Sequence, residues 1–322
     1  MRCALGLFLL LFLAGSAAAA AGLAVPQSET QSIPSKDAVV PWIYGYRLKP
    51  EPTRLPAAVK MLSKSEAFKD PESSGIFVGF IAGVLGANPA RAEALLDKVL
   101  PLPAADQWVI VRAIAYSGLP NWKDLMARMS PQLAGRQPMI DSYLTGKLPS
   151  LDHVKLDSDP TLLDTLWGVY YATGSYIPIA RLITTLEWSK DGNSEERLTI
   201  GSMAKFTLAY NATRDMKLLN MMRRTVDVQP KKVKPILKEV IEAAETANSG
   251  KIRKAALAAI EARKRKGPDY KRELNTWGQV GVGAIAVGCV VAAVLGQVAF
   301  GIPCVVGGAS TEAALRWWQS KD

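Results

Sequence analysis

Between Leu274 and Thr311 the chain runs 38 residues without a charged side chain, directly behind its most basic stretch. About 20 apolar residues span a bilayer core, so this run is long enough to enter a membrane. Outside a membrane it has to be buried against another surface. Any fold for the chain must therefore accommodate a hydrophobic Gly/Ala-rich C-terminus, as one helix or as a helical hairpin, over residues 273–322. Small residues recur there at every fourth position, Ala284, Gly288, Ala292 and Gly296. On a helix these share one face and let a second helix approach closely.

That spacing resembles the glycine-zipper segments of some bacterial envelope proteins, which implies a helix-packing face. Cys289 and Cys304 lie in the same run. On a straight helix they would stand about 22 Å apart, beyond disulfide reach. A disulfide between them requires a hairpin, for which Gly296–Gln297 or Gly301 with Pro303 offers the turn; two buried free thiols are the alternative.

The N-terminus carries Arg2, an apolar core from Leu5 to Ala14 and small residues from Ala17 to Ala21. These are the three parts of a cleavable export signal, so residues 1–22 read as a signal peptide, with an uncleaved anchor as the alternative. The segment from Leu13 to Ser16 resembles a lipoprotein cleavage box with Ser16 in place of the lipid-bearing cysteine, which implies no lipidation there. Export places the protein in the periplasm or cell envelope.

From Lys217 to Arg272 there are 16 Lys or Arg against 6 Asp or Glu, which accounts for the whole net charge of +10. A basic stripe suits nucleic acid, anionic lipid or acidic polymers. Export argues against nucleic acid. Because Arg263, Lys264, Arg265, Lys266, Lys271 and Arg272 lead straight into the apolar run, anionic lipid is the most economical partner, against a merely solvated helix face. Positive-inside preference would hold this flank in the cytoplasm, which conflicts with export and favours a hairpin over a single span.

Between these ends the chain reads as all-α. Residues 23–56 are rich in Pro and Ser and read as an extended linker, docked through Trp42, Tyr44 and Tyr46. Apolar residues at helical spacing then fill a first unit (57–134) and, after a connection (135–159), a second unit with the basic helices (160–272). The units are offset by roughly ninety residues, as expected of stacked helical hairpins in a solenoid-like array or an irregular helical bundle. The body can offer a surface to a protein partner.

Ser202-Met-Ala-Lys205 is the one sequence with a chemical reading. On a helix its spacing sets a lysine amine one turn from a serine hydroxyl. It resembles the serine motif of penicillin-recognising D-Ala-D-Ala peptidases, which implies an acyl-enzyme hydrolase; the resemblance covers only residues 201–210, and the K-[ST]-G triplet of that family is absent. A small residue packed at a helix interface is the structural alternative. The single histidine, His153, has no cysteines or clustered carboxylates near it in sequence, so no metal site is expected, and no motif calls for a cofactor. The aromatic group Trp167, Tyr170, Tyr171 and Tyr176 reads as core, with a ligand groove as the alternative.

The sequence thus describes an exported helical interaction protein of the envelope, held to a membrane or a membrane protein by its C-terminus. The rivals are the serine hydrolase and a soluble module for acidic ligands. Apolar burial contributes about 25 cal/mol per Å², whereas each Lys or Arg beside an anionic surface adds about 1 kcal/mol. Truncation at Leu274 should therefore release the protein from the membrane fraction. Neutralising Arg263, Lys264, Arg265 and Lys266 should only make retention more salt-sensitive, as read by fractionation in rising salt.

Overall fold

The computed structural model describes Ile33 and residues 35–246, and within them every regular element is a helix. The α-helices are α1 (Lys36–Tyr46), α2 (Leu55–Lys64), α3 (Gly75–Ala87), α4 (Ala92–Val99), α5 (Gln107–Ala115), α6 (Trp122–Met129), α7 (Gln137–Leu144), α8 (Thr161–Thr173), α9 (Tyr176–Thr184), α10 (Glu195–Ala212), α11 (Met216–Thr225) and α12 (Val233–Glu245). Short 3-10 turns join several of them, the longest at Ser130–Arg136 and Thr185–Lys190.

Two helices form the centre. Gly75, Gly79 and Gly83 recur every fourth residue on α3 and meet Thr161, Thr165 and Ala172 of α8 in the same order, so the helices run parallel. The contact is backbone on backbone: a Cβ at Gly79 would lie 1.9 Å from the Thr165 carbonyl oxygen, and one at Gly168 of α8 would lie 2.2 Å from that of Ile76. Each helical glycine costs about 1 kcal/mol against alanine. The packing that this close approach allows, along two almost wholly buried helices, offsets that cost.

Other helices assemble around this pair. Trp42 and Tyr46 of α1 pack edge-on against Phe80 of α3, with ring centroids 5.2 and 5.1 Å away. A Cβ at Gly86 would meet the Ser117 carbonyl at 2.1 Å, so the end of α5 presses on α3 as well. On the other side, α10 runs parallel to α8: Asp157–Arg197, Trp167–Thr207 and Tyr171–Asn211 all bond at a separation of 40 residues. Helices α4 and α6 run parallel by the same reasoning, through Glu93–Arg128 and Asp97–Gln132 at a separation of 35.

Local chemistry explains several boundaries. Ser175, Ser194 and Asp215 accept backbone N–H groups at the starts of α9, α10 and α11, satisfying donors that a helix leaves free. Helix α8 ends at Gly174, whose φ of +63° lets its N–H turn back onto the Tyr170 carbonyl at 2.7 Å.

Two segments differ from the sequence expectation. Within the expected linker, Lys36–Tyr46 is helical, because its aromatic residues find the α3/α8 face and that burial outweighs Pro41. Within the expected connection, Gln137–Leu144 forms α7, which buries Ile140 and Tyr143. One hydrophobic cluster runs from Ile33 to Ala244, so the first and second helical units share a core. No single described helix is long and apolar enough to cross a membrane. The C-terminal run lies outside the described residues.

The glycine contact gives a prediction with two signs. Gly79→Ala gains helix propensity but forces α3 off α8, and should destabilise by about 3 kcal/mol, the upper end of the usual overpacking cost. Gly45→Ala, whose Cβ would meet nothing within 4 Å, should stabilise by up to about 1 kcal/mol. Chemical denaturation followed by circular dichroism compares them.

Candidate functional site

Asp215 stands where α1, α8 and α11 meet. Its Oδ1 accepts the Leu218 N–H at 3.1 Å and caps α11. Its Oδ2 accepts both Arg47 Nη2 and the Tyr170 hydroxyl at 2.5 Å. The Arg47 guanidinium also lies over the Tyr170 ring, 5.3 Å from its centroid. Both side chains of this ion pair are about nine-tenths buried, where an unpaired charge would be costly. Burial, then the Asp215 carboxylate, pushes the Tyr170 hydroxyl well above the usual phenol range.

A row of polar groups continues from here between α8 and α10. Tyr171 donates to Asn211 Oδ1 at 2.8 Å, and Trp167 Nε1 donates to Thr207 Oγ1 at 3.1 Å. Tyr44 of α1 packs edge-on to Tyr171 with centroids 4.5 Å apart. Near the start of α8 lies Asp164, 4% exposed. Burial first, and Asp159 second, raise its carboxyl to about 7.

The surface around Asp215 has a different character. Lys217 Nζ and Arg47 Cδ lie 3.1 and 3.7 Å from where a Gly174 Cβ would stand, so two cations converge on the C-terminal end of α8. A helix C-terminus favours positive charge. Beside these residues in the chain are three exposed apolar side chains: Leu48 at 76%, Met216 at 63% and Ile177 at 67%. Arg214 adds a further cation, stacked on Tyr210 at 4.7 Å, and Lys49 another. The carboxylates here are already paired, Asp215 with Arg47 and Glu51 with Lys49 and Arg54. The result is an end of the body that is apolar and cationic at once.

The sequence-derived candidates fall elsewhere. Ser202 is 2% exposed. The Lys205 amine turns to Glu239 of α12 at 2.5 Å, with Lys190 3.6 Å from the other oxygen of the same carboxylate. Burial alone would raise the Glu239 carboxyl, but the two lysines outweigh it and hold the group below its usual range. Ser202 and Lys205 share no hydrogen bond among the described residues. Trp167, Tyr170 and Tyr171 are buried in the core and Tyr176 packs against it. His153 is exposed and bonds through Nδ1 to the Ser150 hydroxyl at 2.9 Å. Arg263 to Lys266, Lys271, Arg272, Ala284, Gly288, Cys289, Ala292, Gly296 and Cys304 lie outside the described residues. No group of three or more His, Cys, Asp or Glu among the described residues could hold a metal ion.

Sequence reasoning missed Leu48, Ile177 and Met216. Asp215 ahead of an apolar periodic run was a legible helix start, but nothing in the sequence marks the Met216 beside it as exposed. No protein-family model, curated protein or solved structure matches this chain.

Asp164 sets a pH dependence. Its carboxyl holds a proton more tightly when folded than when unfolded, so its contribution favours the fold below the unfolded value of about 4 and is lost as pH rises through about 7. Asp164→Asn should flatten that decline, and denaturant titrations at pH 4, 5.5, 7 and 8 compare the slopes.

Proposed function

We propose that this chain is an exported helical interaction protein of the cell envelope, held at a membrane by its C-terminal segment, with the Leu48–Ile177–Met216 end of its body against an anionic bilayer. The observation that carries this reading is that end itself. Three exposed apolar side chains share it with Lys49, Arg214 and Lys217, while its carboxylates are already paired, Asp215 with the buried Arg47. Apolar groups enter the headgroup region and cations meet lipid phosphate, the two contributions that hold peripheral proteins to anionic membranes. The basic flank and uncharged C-terminal run extend the same chemistry along the sequence.

A scaffold of stacked helical hairpins suits this role, since it presents an extended surface to a protein partner while one end lies on lipid. The hydrolase reading is disfavoured: Lys205 is bound to Glu239 and Ser202 is buried, whereas an activated serine needs its base within hydrogen-bond reach and an open path for substrate. A soluble module for acidic ligands accounts for the cations but leaves the exposed apolar residues without a role.

The test is hydrogen exchange on the full chain, alone and with vesicles of phosphatidylcholine or phosphatidylcholine–phosphatidylglycerol. Amides at 47–49, 175–177 and 216–218 should exchange more slowly only with the anionic vesicles. The triple variant Leu48→Ser, Ile177→Ser, Met216→Ser should lose that protection while staying bound through its C-terminus. Vesicle binding with unchanged exchange at all three segments would mean that this end faces water. A full chain that is monomeric without detergent and ignores both vesicles would remove the membrane reading.

A further inference from the structure

At the other end of α8, about 20 Å away by helix length, a cavity of about 230 Å³ opens between the approach to α3, the start of α8, α5 and α10. We infer that this cleft binds a small zwitterion carrying an ammonium group and a carboxylate on an apolar body.

The argument rests on which polar groups around the cleft are already engaged. Asp157 pairs with Arg197 at 2.8 Å. Asp159 accepts both the N–H and the hydroxyl of Thr161, at 2.9 and 2.7 Å. Glu196 accepts the Ser194 hydroxyl at 2.9 Å. Two charged groups lining the cleft, the Glu72 carboxylate and the Arg112 guanidinium, have no ion pair among the described residues, and the Thr199 hydroxyl beside them has no hydrogen bond there.

Each of these is unusual for its surroundings. Thr199 is 4% exposed and lines the cleft, so the little surface it keeps is on the cleft side. Arg112 lies over the Trp108 ring at 5.3 Å and its buried Nε has no acceptor. It donates a hydrogen bond to the Tyr143 phenol and lowers its proton affinity against the larger effect of burial, yet makes no ion pair among the described residues, so its charge is not neutralised. Burial, then Asp70 and Asp159, raise the Glu72 carboxyl. Glu72 and Arg112 line one cavity and form no ion pair with each other.

An acid and a base held apart across a cavity suit a molecule that bridges them. An ammonium group answers Glu72 amid the acidic rim, a carboxylate answers Arg112 in the charge-assisted manner guanidinium favours, and Thr199 supplies a hydrogen bond to either. Pro71, Pro160 and Ile200 complete the lining with apolar surface, which suits a hydrocarbon body. The volume admits a ligand of amino-acid size, below the usual range of drug-sized pockets.

Calorimetric titration of the full chain with L-leucine tests this, with 4-methylpentanoate lacking the ammonium and 3-methylbutylamine lacking the carboxylate as controls. L-Leucine should bind saturably, and each control at least about tenfold more weakly, since each leaves one charge of the cleft unanswered. Arg112→Gln should bring leucine down to the level of the amine, Glu72→Gln to that of the carboxylate. Thr199→Val, nearly isosteric, should weaken leucine without changing its preference over the controls, and keeps the test open if a charge variant does not fold. No saturable leucine binding, or leucine affinity unchanged in all three variants, would overturn the inference. The titration runs equally in detergent, so its failure is separate from that of the membrane reading.

Discussion

The contact between α3 and α8 is the constraint on which the rest of this structure depends. Gly79 and Gly168 bring two helix backbones to a distance that no larger residue tolerates, and the pair is parallel, so both N-termini emerge at one end and both C-termini at the other. Helix macrodipoles then favour carboxylates at the first end and cations at the second. The charged residues follow that division: Glu72 and Asp159 lie beside the starts of α3 and α8, and Arg47 and Lys217 converge where α8 stops at Gly174. A cleft with an acidic rim at one end and a basic apolar face at the other are thus two consequences of one packing choice.

The second partner of α8 is held differently. Against α3 the helix uses small residues and backbone contact; against α10 it uses Trp167 and Tyr171, whose polar tips bond to Thr207 and Asn211 at a common separation of 40 residues. Aromatic side chains with a hydrogen-bonding end fill a wider gap and still satisfy a buried polar group. They also set register, because sliding α10 by one turn would break both bonds and leave their polar atoms unpaired. Asp215 does the same for α1 and α11, since Arg47, Tyr170 and the Leu218 N–H all converge on its one carboxylate.

Helical character was legible from apolar spacing at residues such as Ile76, Phe77, Phe80 and Ile81, all of which are buried in α3. The segments misread were those where composition competed with tertiary contact. Pro41 and the flanking Ser and Pro residues suggested an extended chain, but burial of Tyr46 and Ile43 holds α1 as a helix; α7 is short and starts beside Pro138, so its few apolar residues gave no clear period. The small-xxx-small spacing read at Ala284 to Gly296 is present at Gly75, Gly79 and Gly83 as well, where it marks the centre of the fold. The cleft was not legible at all, since it draws residues from 71, 112 and 199 together and each looks ordinary in its own segment.

Ser202 and Lys205 show why spacing alone does not bring two side chains together. Three residues along a helix bring two side chains to neighbouring positions, but also turn them by most of a revolution, so one can lie on the buried face and the other at its edge. Here Gly201 lets α10 press against the backbone of Ser189, with a Cβ there only 2.2 Å from the Ser189 nitrogen, and that contact carries Ser202 inward. Lys205 stays at the rim, its amine 15% exposed with the rest of its side chain, within reach of Glu239 from α12. The lysine then serves to hold α10 to α12, and the serine serves as a residue small enough to fit the interface.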